Sequence, residues 1–275
     1  MADFNLNQFE EVYAAFRVFI LDIDGTLMNG NALIDGTLDA VYRLISDPEK
    51  KVLFYTNGGY CTLQDSFDKV YNWLKNNLGA EKWAQIEPKV NISTMYNTAQ
   101  LAARYLLNNL ATGAKVLCFG NVGMNYELQA VGLNSEILAP MLPGETEYSP
   151  RFTDVDFANY VTDPEVKAIA FGVCQLFDAR KLCVASMYLQ SENGMDFVTT
   201  NDDPVFVAGA NGRLMPDVGA TLAALETASG RTATRIGKPD KFAMGEILKD
   251  HFADEQARWA EPDYLKQFCY VGDNI

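Results

Sequence analysis

Val18-Phe19-Ile20-Leu21-Asp22-Ile23-Asp24-Gly25-Thr26 sets four apolar residues, two of them β-branched, directly before two aspartates one residue apart. An unbroken apolar run of this kind reads as a strand buried on both faces, as at the centre of a parallel sheet. A carboxylate buried there is costly unless a cation or a proton compensates it. Side chains at i and i+2 of a strand share a face. Asp22 and Asp24 are therefore expected to project together from the carboxyl end of the strand, where open α/β sheets bind ligands. Gly25 then permits a sharp turn. The pattern suggests a divalent-metal site with one nucleophilic and one proton-carrying carboxylate.

Outward from this strand, short apolar runs alternate with helical patterns, the signature of βαβ units. Helices are expected over 36–46, 62–78, 94–110, 124–131, 178–190, 218–229 and 240–251. Strands are expected at 51–55, 90–92, 115–119, 166–173, 197–200 and 268–271. The segment 140–165, with Pro140, Pro143, Pro150, Pro164 and many acids, reads as a long loop or insertion. The fold class is α/β, with a doubly wound, Rossmann-like parallel-sheet core.

Composition narrows the function. A net charge of −14 over 275 residues argues against nucleic-acid binding, which needs a basic face for phosphates. An acidic protein that handles anions must instead concentrate positive charge locally, through a metal, a lysine or helix N-termini. Five scattered cysteines without a C-x-x-C pair fit free thiols in a reducing compartment. Met1 to Glu11 lacks a basic stretch followed by an apolar one, so no signal peptide is expected. No apolar run approaches a membrane span. A cytoplasmic protein without a membrane partner is the expectation. The single histidine, His251, excludes a histidine-rich metal site and is expected on a helix surface.

Three other loops deliver polar groups in the same way. Thr56-Asn57-Gly58-Gly59 follows an apolar strand and offers a hydroxyl, an amide and exposed backbone N–H groups, which suit phosphate oxygens. Lys238 precedes Pro239, a residue favoured at the first position of a helix, and its ammonium beside a helix N-terminus suits an anion. Gly272-Asp273 follows the last strand and adds a third carboxylate, an oxygen ligand for a hard cation.

Taken in this order, the four loops resemble those of the haloacid dehalogenase-superfamily hydrolases, which are mostly Mg²⁺-dependent phosphatases. Asp22-Ile23-Asp24-Gly25-Thr26 matches the first motif, Thr56-Asn57 the second, Lys238 the third and Gly272-Asp273 the start of the fourth. The long interval between Asn57 and Lys238 is similar to the NagD and p-nitrophenylphosphatase subclass, which inserts an α/β cap there. The resemblance implies a catalytic core at 1–111 and 206–275, with a cap at 112–205.

It further implies a phosphate monoester as substrate, with p-nitrophenyl phosphate as a test substrate, and an aspartyl-phosphate intermediate. Asp22 would be the nucleophile and Asp24 the acid and base, with Thr56 and Lys238 holding phosphoryl charge. Asp22, the Asp24 backbone carbonyl and Asp273 would bind Mg²⁺. Gly25, Asn57 and Gly58 would contact substrate. Asn201 and Asp203, in Thr200-Asn201-Asp202-Asp203-Pro204, either line the site or merely cap the following turn. Cap-mediated dimers are common in the subclass, so the resemblance allows a homodimer through the cap. The family carries a second acid about five residues into its fourth motif. The sequence stops at Ile275, so the chain is either cut short or has a weakened metal site. Weak Mg²⁺ affinity is expected, and the alternative is a catalytically weakened scaffold.

Overall fold

The computed structural model describes residues 6–30, 32–138, 157, 159–191, 194–208 and 212–272. The first half runs α1 (Leu6–Ala15), β1 (Val18–Leu21), β2 (Met28–Asn29), β3 (Ala32–Leu33), α2 (Thr37–Ser46) and β4 (Lys51–Thr56). It continues through α3 (Leu63–Asn77), α4 (Ala80–Ile86), β5 (Met95–Asn97), α5 (Thr98–Asn109), β6 (Lys115–Phe119), α6 (Val122–Ala130) and β7 (Asn134–Ile137). The second half holds β8 (Val166–Phe171), α7 (Ala179–Gln190), β9 (Asp196–Thr199), β10 (Val205–Ala208) and β11 (Arg213–Pro216). It ends with α8 (Val218–Ser229), β12 (Thr234–Arg235), α9 (Phe242–His251) and β13 (Phe268–Val271).

The chain divides into two compact units. One comprises 1–56, 63–96 and 244–275, and the other 57–62 and 97–243. The first unit is built on a sheet of order β13-β1-β4-β5. Strand β1 is parallel to both neighbours, with Leu21 opposite Phe54 on one side and Val271 on the other. All four residues of β1 are buried, as an apolar run flanked by two strands requires. Phe19 and Leu21 pack in one cluster with Val41, Leu44, Trp73 and Leu74 from the helices. Because the strands are parallel, β1, β4 and β13 all end at one edge of this sheet, and that edge carries Asp22, Thr56 and Gly272.

The second unit holds a five-stranded sheet of order β12-β9-β8-β6-β7, with every neighbouring pair parallel. The ladder runs one residue past the strands. Gly172 N–H donates to Phe119 O, Thr200 N–H to Phe171 O and Ile236 N–H to Thr199 O, each at 3.0 Å. These bonds fix the loops after β6, β8, β9 and β12 along one edge. Residues 206–243 belong to this unit for two reasons: β12 pairs with β9, and Leu222 and Leu225 of α8 pack with Val184 and Leu189 of α7. Side-chain caps begin its helices, with Asn97, Asn121, Asp178 and Asp217 each accepting a backbone N–H.

Several expectations are corrected. No strand forms at 90–92. Asn91 instead starts a 3-10 turn at Ile92–Thr94 by accepting from Ser93 N–H, and the strand follows at Met95–Asn97. The next helix consequently starts at Thr98. Three buried residues carry no period that a sequence reading can detect. Helices α1 and α4, strand β7 and the β10–β11 hairpin were not anticipated. Much of the irregular 140–165 segment lies outside the described residues. His251 ends α9 half-buried, edge-on to the Tyr96 ring with centroids 6.0 Å apart, rather than on the surface. Among the described residues no helix is long and apolar enough to cross a membrane.

Candidate active site

In the first unit, β1 ends at Leu21, so the two aspartates stand in the loop beyond it. Asp22 is 5% exposed. Its N–H donates to Val271 O at 2.8 Å, and its Oδ1 accepts from Ile23 N–H at 2.8 Å. The backbone then turns at Gly25, whose φ of 82° lies in the left-handed region that glycine adopts without strain. Gly25 N–H closes the turn on Met28 O at 2.9 Å. The Asp24 side chain is 48% exposed and its Oδ1 pairs with Lys69 Nζ of α3 at 2.7 Å. The shared-face expectation therefore needs correction. The i, i+2 rule holds only within a strand, and here one carboxylate is buried while the other, half-exposed, reaches a partly buried ammonium. Sequence reasoning missed Lys69, which looks in sequence like any polar position on an amphipathic helix. Thr56 is buried at the end of β4.

The second unit gathers Asn201, Asp203 and Lys238 around Asn57. Asn57 Oδ1 accepts from Lys238 N–H at 3.0 Å and its Nδ2 donates to Asp203 Oδ2 at 3.0 Å. Its backbone carbonyl accepts from Asn201 Nδ2 at 3.0 Å, Thr98 Oγ1 at 2.9 Å and Gly59 N–H at 2.7 Å. The Asn57 amide is thus committed to bracing the Lys238 loop and Asp203. Asn201 is buried, and its own carbonyl accepts from Thr199 Oγ1 at 2.8 Å. Burial pushes the Asp217 carboxyl up, the bond from Val218 N–H opposes that rise, and the Asp203 charge adds to it. Arg235 ties its guanidinium to Glu226 at 2.8 and 3.0 Å and to Asp202 at 3.2 Å.

Two glycines let these loops approach one another. A Cβ on Gly59 would lie 2.8 Å from Thr200 Cβ, and one on Gly237 would lie 2.5 Å from Thr200 O and 2.9 Å from Asn57 Oδ1. Gly237→Ala is expected to displace the Lys238 loop and to destabilise the second unit by about 1–3 kcal/mol. Thermal unfolding measures the effect, and an unchanged midpoint would contradict the close approach.

The donor set suits a hard divalent cation, because the Asp22 carboxylate and the Asp24 carbonyl are oxygens. Asp273, expected as the third ligand, lies outside the described residues. Among the described residues no three His, Cys, Asp or Glu side chains form a metal-binding group.

A family model for haloacid dehalogenase-like hydrolases matches residues 19–134. The fold is similar to that of a p-nitrophenyl phosphatase from Archaeoglobus fulgidus. The TM-score is 0.63 at 21% identity, covering 86% of this chain and 74% of that one. A glycerol phosphate phosphatase from Mycobacterium tuberculosis, solved in complex with magnesium, gives a TM-score of 0.61 at 25% identity. That likeness covers 86% of this chain and only 58% of the other. The human glycerol-3-phosphate phosphatase is 30% identical over 245 residues, which cover 88% of this chain and 71% of the human protein.

The chain belongs to the haloacid dehalogenase-like hydrolases. In this hydrolase the family-model match begins at Phe19, inside β1, and so includes Asp22, Asp24, Thr56 and Asn57. The hydrolase thereby has the expected fold class, a parallel α/β core interrupted by a second α/β unit.

Proposed function

We propose that this hydrolase is a divalent-metal-dependent phosphatase that cleaves a small phosphate monoester through an aspartyl-phosphate. One observation carries the reading. A buried carboxylate, Asp22, is held by a backbone N–H on its Oδ1 at the carboxyl edge of the central strand, in a chain 30% identical to a glycerol-3-phosphate phosphatase. Backbone bonds on both its N–H and its Oδ1 limit the freedom of the nucleophile before attack.

Asp22 attacks phosphorus, forming an O–P bond while the ester O–P bond breaks, which splits one difficult step into two. Asp24 gives its proton to the leaving oxygen and then takes one from the water that attacks the acyl phosphate. Lys69 pairs with the Asp24 carboxylate at 2.7 Å and orients it in the ionised state that follows the proton transfer to the leaving oxygen. Thr56 and Lys238 hold the charge of the transferring phosphoryl group. Gly25, Asn57, Gly58, Asn201 and Asp203 shape the substrate-binding loops, Asn57 chiefly by bracing the Lys238 backbone. Asp22, the Asp24 carbonyl and Asp273 would hold Mg²⁺, which supplies neutralising charge between two anions. A cap-mediated homodimer and a cytoplasmic location complete the proposal. Five free cysteines support the location.

The test is turnover of p-nitrophenyl phosphate with and without Mg²⁺. Hydrolysis that appears with Mg²⁺ and vanishes on chelation is the expected result. No rate above an Asp22→Asn control would overturn the reading in favour of a scaffold.

A further inference from the structure

The second unit contains chemistry that the proposed reaction does not use. Lys181, in the first turn of α7, is only 4% exposed, and its Nζ donates to Cys174 Sγ at 3.6 Å. A buried ammonium requires a partner, and among the described residues the one its Nζ meets is a sulfur, a weak acceptor. The pair is held in place by backbone bonds. Asp178 Oδ1 accepts from Lys181 N–H at 2.8 Å, and the loop carrying Cys174 is anchored where Gly172 N–H meets Phe119 O at 3.0 Å. Cys174 is partly exposed. Cys118 provides the contrast. It is buried, and burial pushes its thiol up to about 12, which leaves it unreactive.

We propose that Cys174 and Lys181 form an oxidation-sensitive pair in which hydrogen peroxide drives a reversible sulfur–nitrogen bond between the two side chains. In the first step the sulfur attacks peroxide. An S–O bond forms, the O–O bond breaks, sulfur loses two electrons to the oxidant, and water leaves, so that Cys174 becomes a sulfenic acid. Lys181 then releases a proton to solvent and its neutral amine attacks the sulfur. The S–N bond forms, the S–O bond breaks, and the departing hydroxide takes a second amine proton to leave as water. Sulfenic acids condense with nearby nitrogen in this way, and the flexible four-carbon stem of a lysine lets the amine close the remaining gap. The product joins the loop after β8 to the start of α7.

The experiment treats the full chain with hydrogen peroxide and reads intact mass and a peptide map. The expected product is lighter by about 2 Da, the two hydrogens lost on bond formation, with the Cys174 and Lys181 peptides joined and released again by dithiothreitol. In Lys181→Met the same treatment should instead leave Cys174 heavier by about 16 or 32 Da, as sulfenic or sulfinic acid. Three results on the natural chain would overturn the proposal: Cys174 as a sulfinic acid, Cys174 in a disulfide with Cys118, or Cys174 unmodified while other cysteines oxidise. The natural chain decides the matter even if the variant folds poorly, and the readout is independent of phosphatase activity.

Discussion

Asp22→Asn is expected to lower kcat on p-nitrophenyl phosphate by about 10⁴-fold or more, roughly 5.5 kcal/mol of lost transition-state stabilisation. The carboxamide is nearly isosteric with the carboxylate but is no nucleophile, so the two-step route closes. The fold should survive. The Asn oxygen can still accept the Ile23 N–H that now meets Asp22 Oδ1 at 2.8 Å, and the backbone bond from residue 22 to Val271 O is untouched. Unchanged circular dichroism and melting midpoint beside a lost rate is the expected outcome. Near-natural activity would remove Asp22 from the role of nucleophile.

Asn57→Ala should have the second largest effect, and chiefly on structure. It leaves Lys238 N–H without its acceptor and Asp203 Oδ2 without the donor now at 3.0 Å. Two part-buried polar groups deprived of partners cost about 2–4 kcal/mol together. The Lys238 loop then drifts, and a misplacement near 1 Å costs about 10²-fold in rate. Urea unfolding measures the first effect and kcat the second. Asn57→Asp sharpens the test, because it keeps the acceptor for Lys238 N–H but sets a second carboxylate against Asp203. If Asn57→Ala matched the natural chain in both assays, the amide would not be the brace that its hydrogen bonds describe.

Much of the fold was legible because its elements are long and strongly patterned. The run at 18–21, the strand at 115–119 and the helices at 37–46, 179–190 and 218–229 all form close to where their spacing predicts. What escaped was short or half-exposed. Strand β12 has two residues, β5 has three, and the hairpin exposes apolar side chains on both strands, so none shows a usable period. The loops that carry the candidate site were legible as loops, since Gly25, Gly58, Gly59 and Gly237 punctuate apolar strands. Their internal wiring was not.

The sequence by itself determined a parallel α/β fold with Asp22 and Asp24 behind a buried strand and polar loops at Thr56, Lys238 and Asp273, while the hydrolase class came from the resemblance of those loops to a known family. Local pattern suffices for that, because burial periodicity and turn chemistry act over a few residues. Only the tertiary structure decided what each side chain meets. It sent Asp24 to Lys69, 45 positions away. It made Asn57 a brace for Lys238, 181 positions on, and set Lys181 against Cys174 across the start of a helix. The physical reason is the same in each case. Hydrogen bonds and ion pairs form between whatever groups chain folding brings within about 3 Å, or somewhat farther where sulfur accepts, and residue identity alone does not specify the partner.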